Sequence, residues 1–138
     1  MKVHVAKMNQ EVITGYQHVV ASDNFINFMN ISDNECEAIL ANDVLNCFTL
    51  DKVRDCIVSL VNKLRLQGTM VVGGTDIRLF SLSVINNLLS EQEANEVINS
   101  VNSMPSYIEV TKLIESLGLK VESVKSSGIH FEIVARRG

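Results

Sequence analysis

Asn42 and Asp43 stand together where an apolar run ends, inside the segment EAILANDVLNCFTLDKVRDCIVSLVNKLRLQGTMVVGGTD that runs from Glu37 to Asp76. A carboxylate there can accept a proton or bind a ligand amine, and the adjacent amide can orient that ligand. The plainer role is for Asp43 and Asn46 to cap the loop and the next helix. Asp76, after Gly73-Gly74-Thr75, also has two readings: a pocket carboxylate, or the simpler one, the cap of a helix beginning near Leu79. Cys47 follows the elbow but has no identifiable base beside it, which leaves it a buried structural cysteine. His4, His18 and His130 fall on three strand candidates, lack the i,i+4 spacing of helical metal ligands, and read as satisfied strand histidines. His130 stands apart because the neighbouring Ser126-Ser127-Gly128 loop suits movement near a partner. GTMVVGG lacks the GxxxxGK of a phosphate loop, so its glycines read as strand ends.

The elements around these residues follow from periodicity. Val3 and Val5 alternate with Lys2 and His4, a short strand at the start of the chain. YQHVVA, Tyr16 to Ala21, is a second run, only about ten residues on, which leaves room for a loop or one helical turn rather than a full crossover helix. Ala38 to Ala41 reads as a buried strand. A helix of about twenty residues follows, with Thr49 as its N-cap and Val53, Ile57, Leu60, Val61 and Leu64 on one face, closed by Gln67-Gly68. Thr69 to Val72 is the next strand, ended by Gly73-Gly74. Leu79 to Leu89 has helical spacing, Ser90 and Glu93 form a capping box for Glu91 to Ser100, and Ile108 to Leu117 is a helix stopped by Gly118. Leu119 to Ser123 and Ile129 to Arg136 read as an antiparallel pair joined by KSSG. The result is an α/β domain with a mixed, mostly parallel sheet, two helical layers around it, and an antiparallel hairpin at the end.

A chain of 138 residues, 46% apolar and 20% charged, suits one ordinary globular domain, 1–138. The net charge of −4 disfavours nucleic acid as a partner, since phosphate binding relies on clustered Lys and Arg. The dense basic spots, Lys63/Arg65 and Arg136/Arg137, read as solvated ends of elements. Cys36, Cys47 and Cys56 are an odd set with neither a CxxC pair nor a partnered histidine motif, which argues against a disulfide framework or a zinc site and for a reducing, cytoplasmic setting. MKVHVAKMNQ lacks a secretory apolar core, and no stretch approaches the roughly 18 apolar residues that span a bilayer.

Taken in order, these segments resemble the class I S-adenosylmethionine-dependent methyltransferases. DNECEAILANDVL resembles the pattern "DNSVDEIYASHVLEH", and KLRLQGTMVVGGTDI resembles "RLRPGGRLVIEVPDL". The start, KVHVAKMNQEVITGYQHVVA, is similar to a compact subgroup in which "KLNLGCG" precedes "PGYVNVDI", and YIEVTKLIESLGLKVESVKSSGIHFEIVARR is similar to the final helix and strands. The resemblance covers nearly the whole chain and implies a three-layer Rossmann-like fold, S-adenosylmethionine as cofactor, and methyl transfer to an unassigned small-molecule or macromolecular acceptor. It places the cofactor beside Ala6, Met8, Asp23, Asn42 and Asp43, and assigns no catalytic residue and no metal.

The departures fall on that site. The family's glycine-rich turn, which lets backbone approach the cofactor, has Ala6 and Met8 at its glycine positions. Its acidic residue after the second strand is matched by Val20, with Asp23 the nearest carboxylate. Loss of two hydroxyl bonds weakens binding by roughly tenfold or more. The alternative is a methyltransferase-like binding or assembly module without catalysis, with Phe25, Phe28 and Met29 either forming a self-association surface or covering the sheet edge.

Overall fold

The computed structural model describes residues 1–8 and 10–138. Its strands are Lys2–Lys7 (β1), Gln17–Ser22 (β2), Phe25–Ile26 (β3), Cys36–Ala41 (β4), Leu64–Thr75 (β5), Leu119–Ser127 (β6) and His130–Arg137 (β7). Helix Val53–Lys63 (α1) joins β4 to β5, and Ile77–Ile85 (α2), Glu91–Ser100 (α3) and Tyr107–Ser116 (α4) lie between β5 and β6. The strands form one sheet in the order β3-β2-β1-β4-β5-β7-β6. β1, β2, β4 and β5 are mutually parallel, whereas β7 runs against both β5 and β6 and the short β3 runs against β2. This is the mostly parallel sheet with a C-terminal antiparallel hairpin that the order of apolar runs implied.

Period-two alternation decides what each sheet face carries. Val3, Val5, Val19, Ala21, Ile39, Ala41, Met70, Val72, Phe131, Ile133 and Ala135 share one face and one core with Ile57, Leu60 and Val61 of α1 and Val110 and Ile114 of α4. Right-handed crossovers in the same direction across the sheet put both helices on that side. The opposite face carries a cross-strand row set by register: His18, His4, Leu40, Val71 and Val134. Leu40, Val71 and Val134 are only half-buried and lie outside the core cluster. α2 and α3 pack on each other and make at most marginal contact with any strand.

Several local expectations are corrected. The helix after the elbow is 11 residues rather than about twenty, because two 3-10 turns, Leu45–Cys47 and Leu50–Lys52, precede it. Thr49 heads the second turn, and its hydroxyl donates to Asp51 Oδ1 at 2.7 Å instead of accepting from the helix. Gln67-Gly68 is no helix stop but lies within β5, where Gln67 has φ +65° and the pairing slips between Cys36↔Leu64 and Ala38↔Thr69, as in a β-bulge. Gly73 and Gly74 sit inside the paired strand, opposite Glu132 and Phe131. A Cβ on Gly73 would stand 2.8 Å from Asn42 O and one on Gly74 2.7 Å from Asn46 Oδ1, so close approach requires glycine there. β6 runs through Ser127, which leaves Gly128-Ile129 as the hairpin turn in place of KSSG. The basic spots are also employed: Lys63 Nζ reaches Ile31 O and Asp33 Oδ1, each at 2.9 Å, and Arg137 donates to Val61 O and Leu64 O at the end of α1. The capping box of Ser90 and Glu93 and the left-handed Gly118 (φ +89°) are formed as read from the sequence.

Asp76 is fully buried and caps rather than lines a pocket. Its Oδ2 accepts from Leu79 N at 2.8 Å at the start of α2, and its Oδ1 accepts from Tyr107 N at 2.6 Å at the start of α4. One carboxylate thus satisfies orphan donors of two helices. Asp76→Ala is expected to lower the unfolding free energy by about 2–4 kcal/mol, with Asp76→Asn losing roughly half as much because one acceptor remains. Urea denaturation measures both, and an alanine loss below about 0.5 kcal/mol would remove the shared cap from the account.

The strand histidines are not satisfied as expected: the buried Nδ1 atoms of His4 and His18 have no hydrogen-bond partner among the described residues. Their rings meet edge-on, 5.9 Å apart. Burial, and then His18, hold His4 below its ordinary value of 6.5. The unfolded chain therefore takes up this proton first as pH falls. The resulting loss of stability is absent above about pH 6.5, grows below it, and stops once pH has passed the lowered folded value. Denaturation of the wild type between about pH 7 and about pH 5 should show that slope, and His4→Leu should flatten it.

Candidate functional site

Chain order reverses at β1, with β2 on one flank and β4 on the other. The crevice outside their carboxyl ends is where open α/β sheets take ligands. Here a cleft of about 310 Å³ opens, its walls including Lys7, Met8, Asp23, Asn46, Cys47 and Asn102. Of the residues that the resemblance placed beside the cofactor, Met8 and Asp23 line this cleft, and Met8 is 73% exposed. Ala6 does not: it is fully buried on β1, paired with Val20. Asn42 and Asp43 stand at the end of β4, on the far side of Lys7.

Lys7 is the residue that sequence reasoning passed over. Its Nζ lies 2.8 Å from Asp43 Oδ2, so an ion pair spans the switch point between β1 and β4. The turn after β1 also closes on itself: Gln10 Oε1 accepts from Lys7 N at 2.7 Å and Gln10 N donates to Lys7 O at 3.1 Å. Among the described residues between β1 and β2 there is no helix, so no helix N-terminus faces the crevice. A lysine ending a strand gives no sequence signal that distinguishes this bridge from a solvated side chain.

Asp43 has a second neighbour. His130 Nδ1 lies 4.0 Å from Asp43 Oδ1, while His130 Nε2 lies 2.9 Å from Asn42 O. A carbonyl only accepts, so Nε2 carries a hydrogen and Nδ1 is the atom turned toward Asp43. A hydroxyl or amine entering there would meet both a ring nitrogen and a carboxylate oxygen.

Opposite, the chain straps itself across the crevice. Asn102 Nδ2 donates to Asp23 Oδ1 at 3.0 Å and to Cys47 O at 2.8 Å, and Asn102 N donates to Asn46 O at 2.8 Å. Asn46, expected to cap a loop, is instead 5% exposed and pairs like a peptide group. Its Oδ1 accepts from Thr75 N at 2.7 Å, and its Nδ2 donates to Ser103 O at 2.8 Å and Thr75 O at 3.3 Å. Burial raises Cys47 above its ordinary 9.0 against the opposing pull of Lys7, with Asp43 and Asp23 adding to the rise. It is thus a thiol at neutral pH, and the Cys56 thiol is pushed up to about 12 by burial and then by Cys47.

No protein-family model and no curated protein sequence matches the chain. Solved structures do. A protein from Pyrococcus horikoshii matches with a TM-score of 0.64 and 14% identity over 99% of this chain and 72% of its own. An S-adenosylmethionine-dependent methyltransferase from Archaeoglobus fulgidus matches at 0.59 and 10% over 89% and 68%. The magnesium protoporphyrin IX methyltransferase of Synechocystis, solved with bound S-adenosylhomocysteine, matches at 0.57 and 11% over 89% and 52%. The chain spans only 32% of an O-methyltransferase family protein from Burkholderia thailandensis. The fold is therefore that of the class I methyltransferases. No described helix is long and apolar enough to cross a membrane.

The two polar anchors of the site should separate in their effects. Asn46→Ala removes the partner of the part-buried Thr75 amide and should cost about 1–3 kcal/mol. Lys7→Ala removes a half-exposed ion pair and should cost less than about 1 kcal/mol. Equal losses in urea denaturation would contradict this division.

Proposed function

We propose that this chain is a methyltransferase-fold binding and assembly module that does not hold S-adenosylmethionine in the manner of its structural neighbours. The Lys7–Asp43 bridge carries this reading, since this 2.8 Å ion pair joins the ends of β1 and β4 at the edge of the cleft, where the cofactor of such a fold would lie. The rest of the residue set points the same way. Ala6 and Met8 replace the glycines that allow backbone approach. Gln10 consumes the Lys7 amide, and one oxygen of Asp23 is already engaged by Asn102. The residues present do not fit the group. A cofactor lying along the end of β1 would have to displace that ion pair and the Gln10 bonds to Lys7.

A second reading, methyl transfer to a small acceptor, is favoured by the juxtaposition of His130 Nδ1 and Asp43 Oδ1 beside the crevice. That pair suits removal of a proton from a hydroxyl or amine acceptor. Calorimetric titration of S-adenosylmethionine and S-adenosylhomocysteine into the protein decides between the two. The module gives no saturable heat up to millimolar ligand. A dissociation constant tighter than about 100 µM would overturn it and leave methyl transfer.

A further inference from the structure

Helix α2 turns an aliphatic side to solvent, and we infer that a second copy of this chain packs antiparallel against it. The inference rests on the assembly reading above and names its partner. Six of the nine residues of α2 are apolar, yet only Phe80 and Ser83 are buried, and its main packing neighbour is α3. The turn of about 100° per residue gathers Ile77, Ser81, Leu82 and Ile85 on the open side. Ile77 is 43% exposed, Leu82 54%, Ile85 72%, and Leu88 in the turn beyond 76%. A helix this short does not persist on propensity alone, and α3 packs only on its closed side. A run of exposed aliphatic side chains of this kind marks an interaction surface.

Charge selects the occupant. From Ile77 to Ser90 the only charged residue is Arg78, and it stands in the first turn of α2, where the helix dipole disfavours a cation. It forms no ion pair among the described residues. The last turn has the opposite want, since no basic residue stands there to meet the terminal carbonyls. An antiparallel copy gives each end what it lacks. The open residues from Ile77 to Leu88 are centred beside Leu82, so a two-fold axis there sets Ile77 against the partner's Leu88 and Arg78 against the partner's Asn87, at the carbonyl end of that helix. The two arginines then lie about 13 Å apart along the helix, beyond the roughly 8–10 Å over which exposed charges act strongly. Ser81, the small residue of the open side, lets the two backbones approach. Ile77 also walls a groove of about 500 Å³ with Leu50, Met104, Pro105 and Leu113, which receives the partner's Leu88. An anionic membrane is the poorer match, because one cation faces it and Glu91 and Glu93 open α3 just beyond.

Four aliphatic side chains and one arginine on each copy make a contact at the small end of interface sizes, so the dimer is a weak one. Sedimentation velocity from about 10 µM to about 1 mM should show a monomer–dimer equilibrium within that range. Ile85→Lys with Leu88→Lys changes exposed positions only and should weaken association at least about tenfold while far-UV dichroism is kept. Arg78→Glu separates dipole pairing from a solvated arginine: association should fall at least about threefold, although an acid in the first turn favours the helix of the monomer. The wild type gives a readout that needs no variant. The Ile77, Ile85 and Leu88 methyl signals should be bleached by a soluble paramagnetic probe at low concentration and protected at high concentration, while those of Val12 and Val124, exposed elsewhere, are bleached at both. A wild type that stays monomeric throughout overturns the inference, as does a dimer whose three methyls remain accessible or one that either folded variant leaves intact. The cofactor titration is read separately: a monomer that binds no cofactor removes the partner and keeps the reading of the crevice, and a dimer that binds cofactor does the reverse.

Discussion

One buried carboxylate organises the carboxyl end of the sheet. Asp76 leaves β5 and at once accepts from the first turns of α2 and α4. The chain makes a long excursion between those helices through α3, yet both of its ends are held at a single side chain. The position of the Val101–Pro105 return follows from this. It arrives beside the elbow after β4, where Asn46 bonds Ser103 O and Thr75 and Ser103 Oγ donates to Phe48 O at 2.7 Å. Asn102 is thereby delivered to Asp23 and Cys47. Two amides and a carboxylate thus set the path of the chain around the crevice.

The short link between β1 and β2 connects two features that would otherwise seem unrelated. In a βαβ unit the crossover helix covers one face of the sheet and presents its N-terminus to the ligand at the switch point. A link of about ten residues cannot build that helix. Among the described residues of the link no positive helix end faces the crevice, and Lys7 supplies the charge from a side chain, where Asp43 neutralises it. The same shortage leaves Leu40, Val71 and Val134 without a helical layer over them. A changed ligand site and a half-buried sheet face are consequences of one economy in chain length.

Much of the fold was legible because period two and period 3.6 are local signals. The parallel strands, the capping box at Ser90, the stop at Gly118 and the terminal hairpin all follow from neighbouring residues. What escaped depends on contacts distant in sequence. Gly73 and Gly74 looked like strand ends, yet their lack of Cβ serves the approach of Asn42 O and the Asn46 amide from another loop. Thr49 has an N-cap's identity, but its amide and hydroxyl also donate to Asn24 Oδ1, at 2.8 Å and 3.3 Å, from 25 residues away. Asp43 stood out by its place after an apolar strand, whereas its ion-pair partner Lys7 and the strap residue Asn102 did not, since charge pairing across a switch point and a strap from 55 residues away leave no periodic trace.

His4 joins the two sides of the argument. It sits on the sheet face that lacks a helix, in register with His18 and Leu40, and its Nδ1 is buried without a partner. A covering helix of apolar residues would not have satisfied that nitrogen either, so the row is not simply a core waiting for its usual lid. An orphan buried nitrogen costs about 1–3 kcal/mol, and its retention beside half-buried Leu40 and Val71 means the face is neither a well-packed interior nor an ordinary solvated surface. The half-buried apolar part of the row follows from the missing crossover helix, whereas the orphan nitrogen follows from the register that sets His4 against His18.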